Sequence, residues 1–261
     1  MKKNLVFMMD IDIGGDGRYA STRRLPYKYS IGSWKKWCDK NDVELFVLND
    51  LLMDNDRMGI CWQRYYLFDI LEANEIEYDQ VCMVDADTII HPDTPNFFEM
   101  TEHKLCGCHF DGSYDWVMRS LEQYSKYAFG GQMMDWWKYF DCGFIIVNEK
   151  HRQLFMDIIG FYFQNQDNLI KLQNTFHVGT DQTPVNFLVD FYEGSKGGVK
   201  LLPYEFNMND MHRKEVLTPD LLFTKVGWIY QYNAIPNNSD YSKTIWYMKE
   251  TYKHLYGELD D

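Results

Sequence analysis

Three places in the chain set two aspartates one residue apart: Asp10-Ile11-Asp12, Asp54-Asn55-Asp56 and Asp85-Ala86-Asp87. Carboxylates so spaced repel one another unless a cation lies between them. Their hard oxygens suit Mg²⁺ or Mn²⁺, which keeps positions open for phosphate oxygens. The spacing alone says little. With 26 Asp among 261 residues, chance gives about three such triplets, the false-positive risk of any short motif. Context must decide. Asp85-Ala86-Asp87 follows Val81-Cys82-Met83-Val84 and precedes Thr88-Ile89-Ile90. An unalternating apolar run of this kind fits a strand buried on both faces of a parallel sheet. In extended backbone Asp85 and Asp87 project to one side and Ala86 to the other. Acids at the C-terminal end of such a strand sit where open α/β sheets bind ligands. Together these features predict a metal clamp for a diphosphate.

The elements that must position those acids follow from the pattern on either side. Residues 4–9 read as a first buried strand ending at Asp10. Ile13-Gly14-Gly15-Asp16-Gly17 reads as a turn, because adjacent glycines interrupt regular structure. Tyr27, Ile31, Trp34 and Cys38 share one helical face, and 43–48 is a second strand. A helix over 62–73 leads into the acidic strand, and Pro95 opens a short helix through Phe98. Residues 104–110 form a further strand; 111–140 hold a helix and then a mobile, Trp-bearing loop. A buried strand at 144–147 leads to a helix over 152–163. A helix over 182–191 follows Thr180 or Asp181 as N-cap. Strands at 199–202 and 226–230 and a helix over 241–256 close the chain. Strand–helix alternation predicts an α/β fold, a mixed, mostly parallel sheet flanked by helices in a single domain.

Composition limits the partners. The formal charge is −13, which excludes a duplex nucleic-acid surface built on clustered Lys and Arg. It leaves room for a single nucleotide whose charge a metal offsets. No apolar stretch reaches the roughly 20 residues of a membrane span, and six scattered Cys read as buried free thiols of a reducing, cytoplasmic protein. Cys106-Gly107-Cys108-His109 lacks the second Cys pair of a zinc site. Aromatic content is high at 17%; most of these rings must be core, and a surplus at a cleft would suit stacking on sugar rings or bases.

Three enzyme readings compete for the acids. The run into Asp10 and Asp12 resembles a haloacid-dehalogenase-type phosphatase, but the later Lys and Gly-Asp-x-x-x-Asp run of that family are missing. Gly14-Gly15-Asp16-Gly17 with Arg23-Arg24-Leu25 resembles a sugar nucleotidyltransferase, but the spacing fails. The third covers more of the chain. Asp85-Ala86-Asp87, then Asp141-Cys142-Gly143-Phe144 running to Asn148, then Gly179-Thr180-Asp181-Gln182 occur in that order. The ordered set resembles nucleotide-sugar glycosyltransferases of the GT-A fold, particularly the glycogenin-like family 8 group, over roughly residues 60 to 190.

The resemblance implies a Rossmann-like GT-A domain whose residues 1–110 bind the nucleotide and 111–261 the sugar and acceptor. It implies Mn²⁺ or Mg²⁺ on Asp85 and Asp87, a nucleotide-diphosphate sugar as donor, and transfer to a glycan or other hydroxyl acceptor with retention. Met9 and Asp10 would lie at the base, Arg64 and Ala86 at the donor. Asp141, Cys142 and Gly143 would line the sugar pocket, while Asp181 and Gln182 would face the transferred sugar. Asp141 stands where the family carries Asn. Gln231 stands where it carries a third metal ligand, His, for which His212 and His254 are substitutes. Trp136 and Trp137 suit an acceptor-side lid. If configuration is inverted, Asp181 is the natural base. A non-catalytic carbohydrate-binding protein would use the aromatics but not the acids.

Overall fold

The computed structural model describes residues 2–13, 22–110, 112–193, 198–209, 219–233, 235–236 and 238–259. Gly14 to Gly17 and His212 lie outside them. A six-stranded sheet runs through the molecule in the order β2-β1-β3-β6-β5-β7. Its strands are β1 (Lys3–Met9), β2 (Glu44–Leu48), β3 (Tyr78–Val84), β5 (Cys106–His109), β6 (Phe140–Val147) and β7 (Lys200–Leu202). β1 pairs parallel with β2 and β3, and β5 with β7, whereas β6 runs antiparallel to both β3 and β5. The sheet is mixed and mostly parallel, as the strand–helix alternation predicts.

Both faces are covered, so the central strands are built largely of apolar residues. Leu5 and Phe7 of β1, with Val81 and Met83 of β3, pack against α3 (Leu67–Ala73) and α5 (Arg152–Phe176). Val6, Met8, Cys82 and Val84 face Trp34 and Trp37 of α1 (Tyr27–Asn41). Each such side chain contributes about 1.5–3 kcal/mol when fully buried. α4 (Tyr114–Ala128), α6 (Gln182–Glu193) and α7 (Ser242–Tyr256) complete the layers. A second, two-stranded ribbon pairs β4 (Thr88–Ile90) antiparallel with β8 (Ile229–Gln231). No helix of the described residues is long and apolar enough to cross a membrane.

Several elements differ from the periodicity, β6 among them, which begins at Phe140 rather than 144. The helix expected over 62–73 is broken: α2 (Ile60–Gln63) gives way to a 3₁₀ turn at Arg64–Tyr66 before α3. α5 runs to Phe176 rather than 163, and the short helix after Pro95 is a 3₁₀ turn, Phe97–Met100, capped by Asn96. The acids do not lie in extended backbone. β3 ends at Val84, and Ala86 and Asp87 form a turn between β3 and β4.

Candidate active site

That turn is fixed from beneath by α1. Trp34 Nε1 donates to Thr88 Oγ1 (2.9 Å), which in turn donates to the Asp85 carbonyl (2.7 Å). Trp37, stacked on Phe97 at 4.8 Å, donates to the Thr94 carbonyl beyond β4. Both tryptophans are fully buried in the core and also orient the acidic turn. From the other side, Asp85 N–H donates to the Gly143 carbonyl (3.0 Å) and Tyr232 N–H to the Asp87 carbonyl (2.9 Å). The ribbon places Gln231 opposite Thr88. Gln231 Nε2 donates to Asp85 Oδ2 at 2.9 Å, while its Oε1 accepts from Asn207 Nδ2 at 3.3 Å.

The break in the helix serves Arg64. Its guanidinium donates to Asp85 Oδ1 (2.7 Å) and to the carbonyls of Cys142 (3.1 Å) and Cys61 (3.0 Å), and its Nε lies 3.9 Å from Asp181. Arg64 thus ties the acidic turn to β6 and to the start of α6. Asp181 is buried. Its Oδ2 accepts from Tyr65 Oη and its Oδ1 from Thr180 Oγ1, each at 3.0 Å. Burial raises the Tyr65 phenol far above its ordinary range, so it stays a proton donor. The next residue, Gln182, accepts from Cys142 N–H at 3.5 Å. Burial pushes the Cys61 thiol up to about 12 and Cys142 well above its ordinary value, which removes both as nucleophiles near neutrality.

β6 itself is bulged. Gly107 pairs with Ile145, yet two residues on, His109 pairs with Phe140, so three extra β6 residues swing out of the ladder. They are Asp141, Cys142 and Gly143. Bulges of this kind re-aim side chains beside active sites. A Cβ on Gly143 would lie 2.7 Å from Asp85 Oδ2, 2.7 Å from Gln231 Nε2 and 3.1 Å from Asp141 Oδ1. Only glycine lets β6 approach the acids this closely. Asp141 Oδ1 accepts from Gly143 N–H at 2.7 Å.

Above these residues opens a cleft enclosing about 710 Å³, solvent at its mouth included, lined by Met9, Arg23, Tyr27, Cys61, Arg64, Asp85, Ala86 and Asp87 among others. Asp10 is turned away, its Oδ1 2.5 Å from Arg24 Nε, and Asp12 lies 3.7 Å from the same guanidinium. Tyr65 and Asn207 carry no spacing signal in the sequence and enter only through the fold, and Arg23, which the sequence set in the nucleotidyltransferase-like run, lines the cleft instead. Trp136 and Trp137 occupy a 3₁₀ turn just before β6 and are exposed. His254 is exposed on α7 and interacts with His91, which follows the end of β4 remote from Gln231.

The electrostatics favour a cation. Two guanidinium groups, Arg23 and Arg64, stand against the carboxyls of Asp85, Asp87, Asp141 and Asp181. Burial, then the charge of Asp85, pushes both Asp87 and Asp141 up to about 7. Asp87 Oδ1 and Asp141 Oδ2 are buried without a hydrogen-bond partner among the described residues, an expensive state for a charged oxygen. The donor set of hard oxygens fits Mg²⁺ or Mn²⁺ on Asp85 and Asp87. Among the described residues no three His, Cys, Asp or Glu side chains are grouped so as to hold a metal ion. Gln231 presents its N–H to Asp85, and serving a metal requires that amide to turn over.

No family model matches the chain, and no curated protein matches it in sequence. Solved structures do. A glycosyltransferase involved in the glycosylation of the major capsid of PBCV-1 superposes with a TM-score of 0.56 at 10% identity, over 95% of this chain and 99% of that one. The galactosyltransferase LgtC, in complex with donor and acceptor sugar analogs, superposes with a TM-score of 0.50 at 12% identity, over 97% and 96%. At such identities the likeness is one of fold. The chain has the α/β fold of a GT-A glycosyltransferase domain.

Proposed function

We propose that the chain is a metal-dependent glycosyltransferase that moves a sugar from a nucleotide-diphosphate donor to a hydroxyl of a carbohydrate acceptor. The observation that carries the reading is the pair of unpaired, buried carboxylate oxygens on Asp87 and Asp141. They stand beside Arg64 and Asp85 at the C-terminal edge of a parallel strand pair, where α/β folds bind nucleotides. Residues 1–110 supply the donor half and 111–261 the acceptor half.

In this reading Asp85 and Asp87 hold a divalent cation, with Gln231 as a third ligand through its amide oxygen. The cation, when bound, supplies Lewis-acid neutralisation of the leaving diphosphate. Arg64 adds a fixed guanidinium to the same charge and, through its bonds to Asp85 and Cys142, needs no reorganisation to do so. Asp141, Cys142 and Gly143 line the sugar pocket, and Asp181 and Gln182 face the transferred sugar. The Asp181 carboxylate is already engaged by Tyr65 and Thr180. That suits electrostatic support of an oxocarbenium-like centre and retention of configuration better than proton abstraction from an acceptor. Met9 lines the base end of the cleft, while Asp10, held by Arg24, shapes it from behind. The same Arg24 contact leaves Asp10 a poor phosphatase nucleophile.

Thermal denaturation with UDP, GDP and dTDP, each with and without Mn²⁺, tests the donor half. A ligand bound by the native state alone raises the melting temperature. At least one nucleotide is expected to do so only when Mn²⁺ is present. No shift with any of the three, or equal shifts without metal, contradicts the proposal.

A further inference from the structure

An aromatic cluster stands exposed at the edge of the sheet that carries Asp141. Tyr114 is 61% exposed, Trp137 56% and Trp136 40%. Tyr114 meets Trp136 edge to face with centroids 5.4 Å apart, and Trp137 meets Trp136 likewise at 6.2 Å. His109 lies behind Trp136 at 6.2 Å. Together the three exposed rings present on the order of 240–390 Å², given the 150–250 Å² that each aromatic side chain carries. Isolated exposed aromatics need no explanation, but a contiguous patch of rings does.

The cluster is built in place. Lys138 N–H donates to the Asp135 carbonyl (2.9 Å) and Tyr139 N–H to the Trp136 carbonyl (3.1 Å), closing the turn. The next two residues are fastened to α6: Tyr139 Oη and Thr183 Oγ1 share a hydrogen bond of 2.7 Å, and the Phe140 backbone exchanges two with the Asn186 side chain, each 2.9 Å. Trp136 and Trp137 therefore ride on the turn that leads into the β6 segment bearing Asp141 and is fastened to α6, which bears Gln182, while Tyr114 reaches them from the start of α4. From Trp137 to Gly143 is six residues, at most about 20 Å of chain. A preformed surface loses little entropy when it binds.

The chemistry of the patch selects its occupant. Ring faces carry negative charge and attract the polarised C–H faces of a pyranose, while each indole N–H offers a donor to hydroxyls. Lys138 is already matched by Asp135 (3.0 Å) and Asp190 (3.9 Å), and Arg119 by Asp115 (3.7 Å), so these cations are not spare for an anionic sugar. The area falls short of the roughly 800 Å² per partner of a stable protein interface. We infer that Tyr114, Trp136 and Trp137 form a binding platform for a neutral oligosaccharide, holding the sugar units behind the hydroxyl that receives the transferred residue. Its role as an acceptor site rests on the transferase reading; its ability to bind glycan does not.

The test is binding by the full chain to neutral oligosaccharides of two to six glucose, galactose or N-acetylglucosamine units, with monosaccharides and uronic-acid oligomers as comparators, read by saturation-transfer NMR and intrinsic fluorescence. At least one neutral oligosaccharide is expected to bind more tightly than its monosaccharide. Trp137→Ala and Tyr114→Ala are each expected to weaken that binding about tenfold or more, the equivalent of about 1.4 kcal/mol. Trp246→Ala, an equally exposed Trp on α7 (44%), is expected to leave it unchanged. The inference is overturned if no neutral oligosaccharide binds, if both platform variants bind like wild type, or if their only effect is a change of oligomeric state. Glycan binding without turnover of any nucleotide-sugar would sink the transferase reading and leave the platform standing.

Discussion

Replacing Gly143 by Ala adds one methyl group at the tightest point of the site. Its carbon would sit 2.7 Å from both Asp85 Oδ2 and Gln231 Nε2, where ordinary contact begins near 3.5 Å. Neither neighbour yields freely: Asp85 is held by Arg64 and Gln231 by Asn207. Overpacking of this kind costs about 1–3 kcal/mol, and losing a hydrogen bond to a charged acceptor about 1.5–3 kcal/mol. The terms overlap, so about 3 kcal/mol is the expected loss, which lowers the melting temperature by roughly 6–12 °C in a chain of this size. Displacing Asp85 by about 1 Å is expected to cut donor turnover on the order of 10²-fold. Gly160→Ala in α5 is the control. A Cβ there meets nothing within 4 Å, so it is expected to stabilise the helix by about 0.5–1 kcal/mol. Calorimetry of both variants with a nucleotide-release assay decides. If Gly143→Ala melts within a degree of wild type and keeps its turnover, the close approach of β6 to the acids is not what organises this site.

Two further outcomes follow from the same network. Arg64→Ala leaves Asp85 and Asp181 without their shared guanidinium and is expected to cost about 3–5 kcal/mol, as breaking a buried pair does; Arg64→Lys, lacking the fork that reaches both Asp85 and the Cys142 carbonyl, is expected to recover less than half of that in urea denaturation. Asp141 supplies a pH dependence. Its folded pKa is raised to about 7 by burial and by Asp85, so its stabilising contribution is full below about pH 4 and is lost as pH rises through about 7. Wild type is therefore expected to melt lower at pH 8 than at pH 6 without metal, and Asp141→Asn to shrink that difference.

Much of the frame was legible because it is local. The unbroken apolar runs of β1 and β3 and the face formed by Tyr27, Ile31, Trp34 and Cys38 announce buried strands and a covering helix through periodicity alone. What escaped depends on partners far apart in the chain. The 3₁₀ break at Arg64 answers to Asp85, Cys142 and Asp181, none of which leaves a mark near residue 64. The turn at Asp85 to Asp87 replaces extended backbone because Thr88 and Trp34 hold it, across 54 residues of sequence. Asn207 orients Gln231, and Tyr65 engages Asp181, through single side-chain bonds that no spacing rule encodes. Tyr114 joins Trp136 only once α4 folds back beside β6.

The central claim is metal-dependent cleavage of a nucleotide-sugar at Asp85 and Asp87. The most direct measurement is release of nucleoside diphosphate from UDP-, GDP- and dTDP-sugars, with and without Mn²⁺, by wild type and by Asp87→Ala. Release is expected from at least one donor only with Mn²⁺, and a fall of at least 10²-fold in the variant. Release that is indifferent to metal and to Asp87, or release of phosphate from simple phosphomonoesters that is lost in Asp10→Asn, would contradict the account.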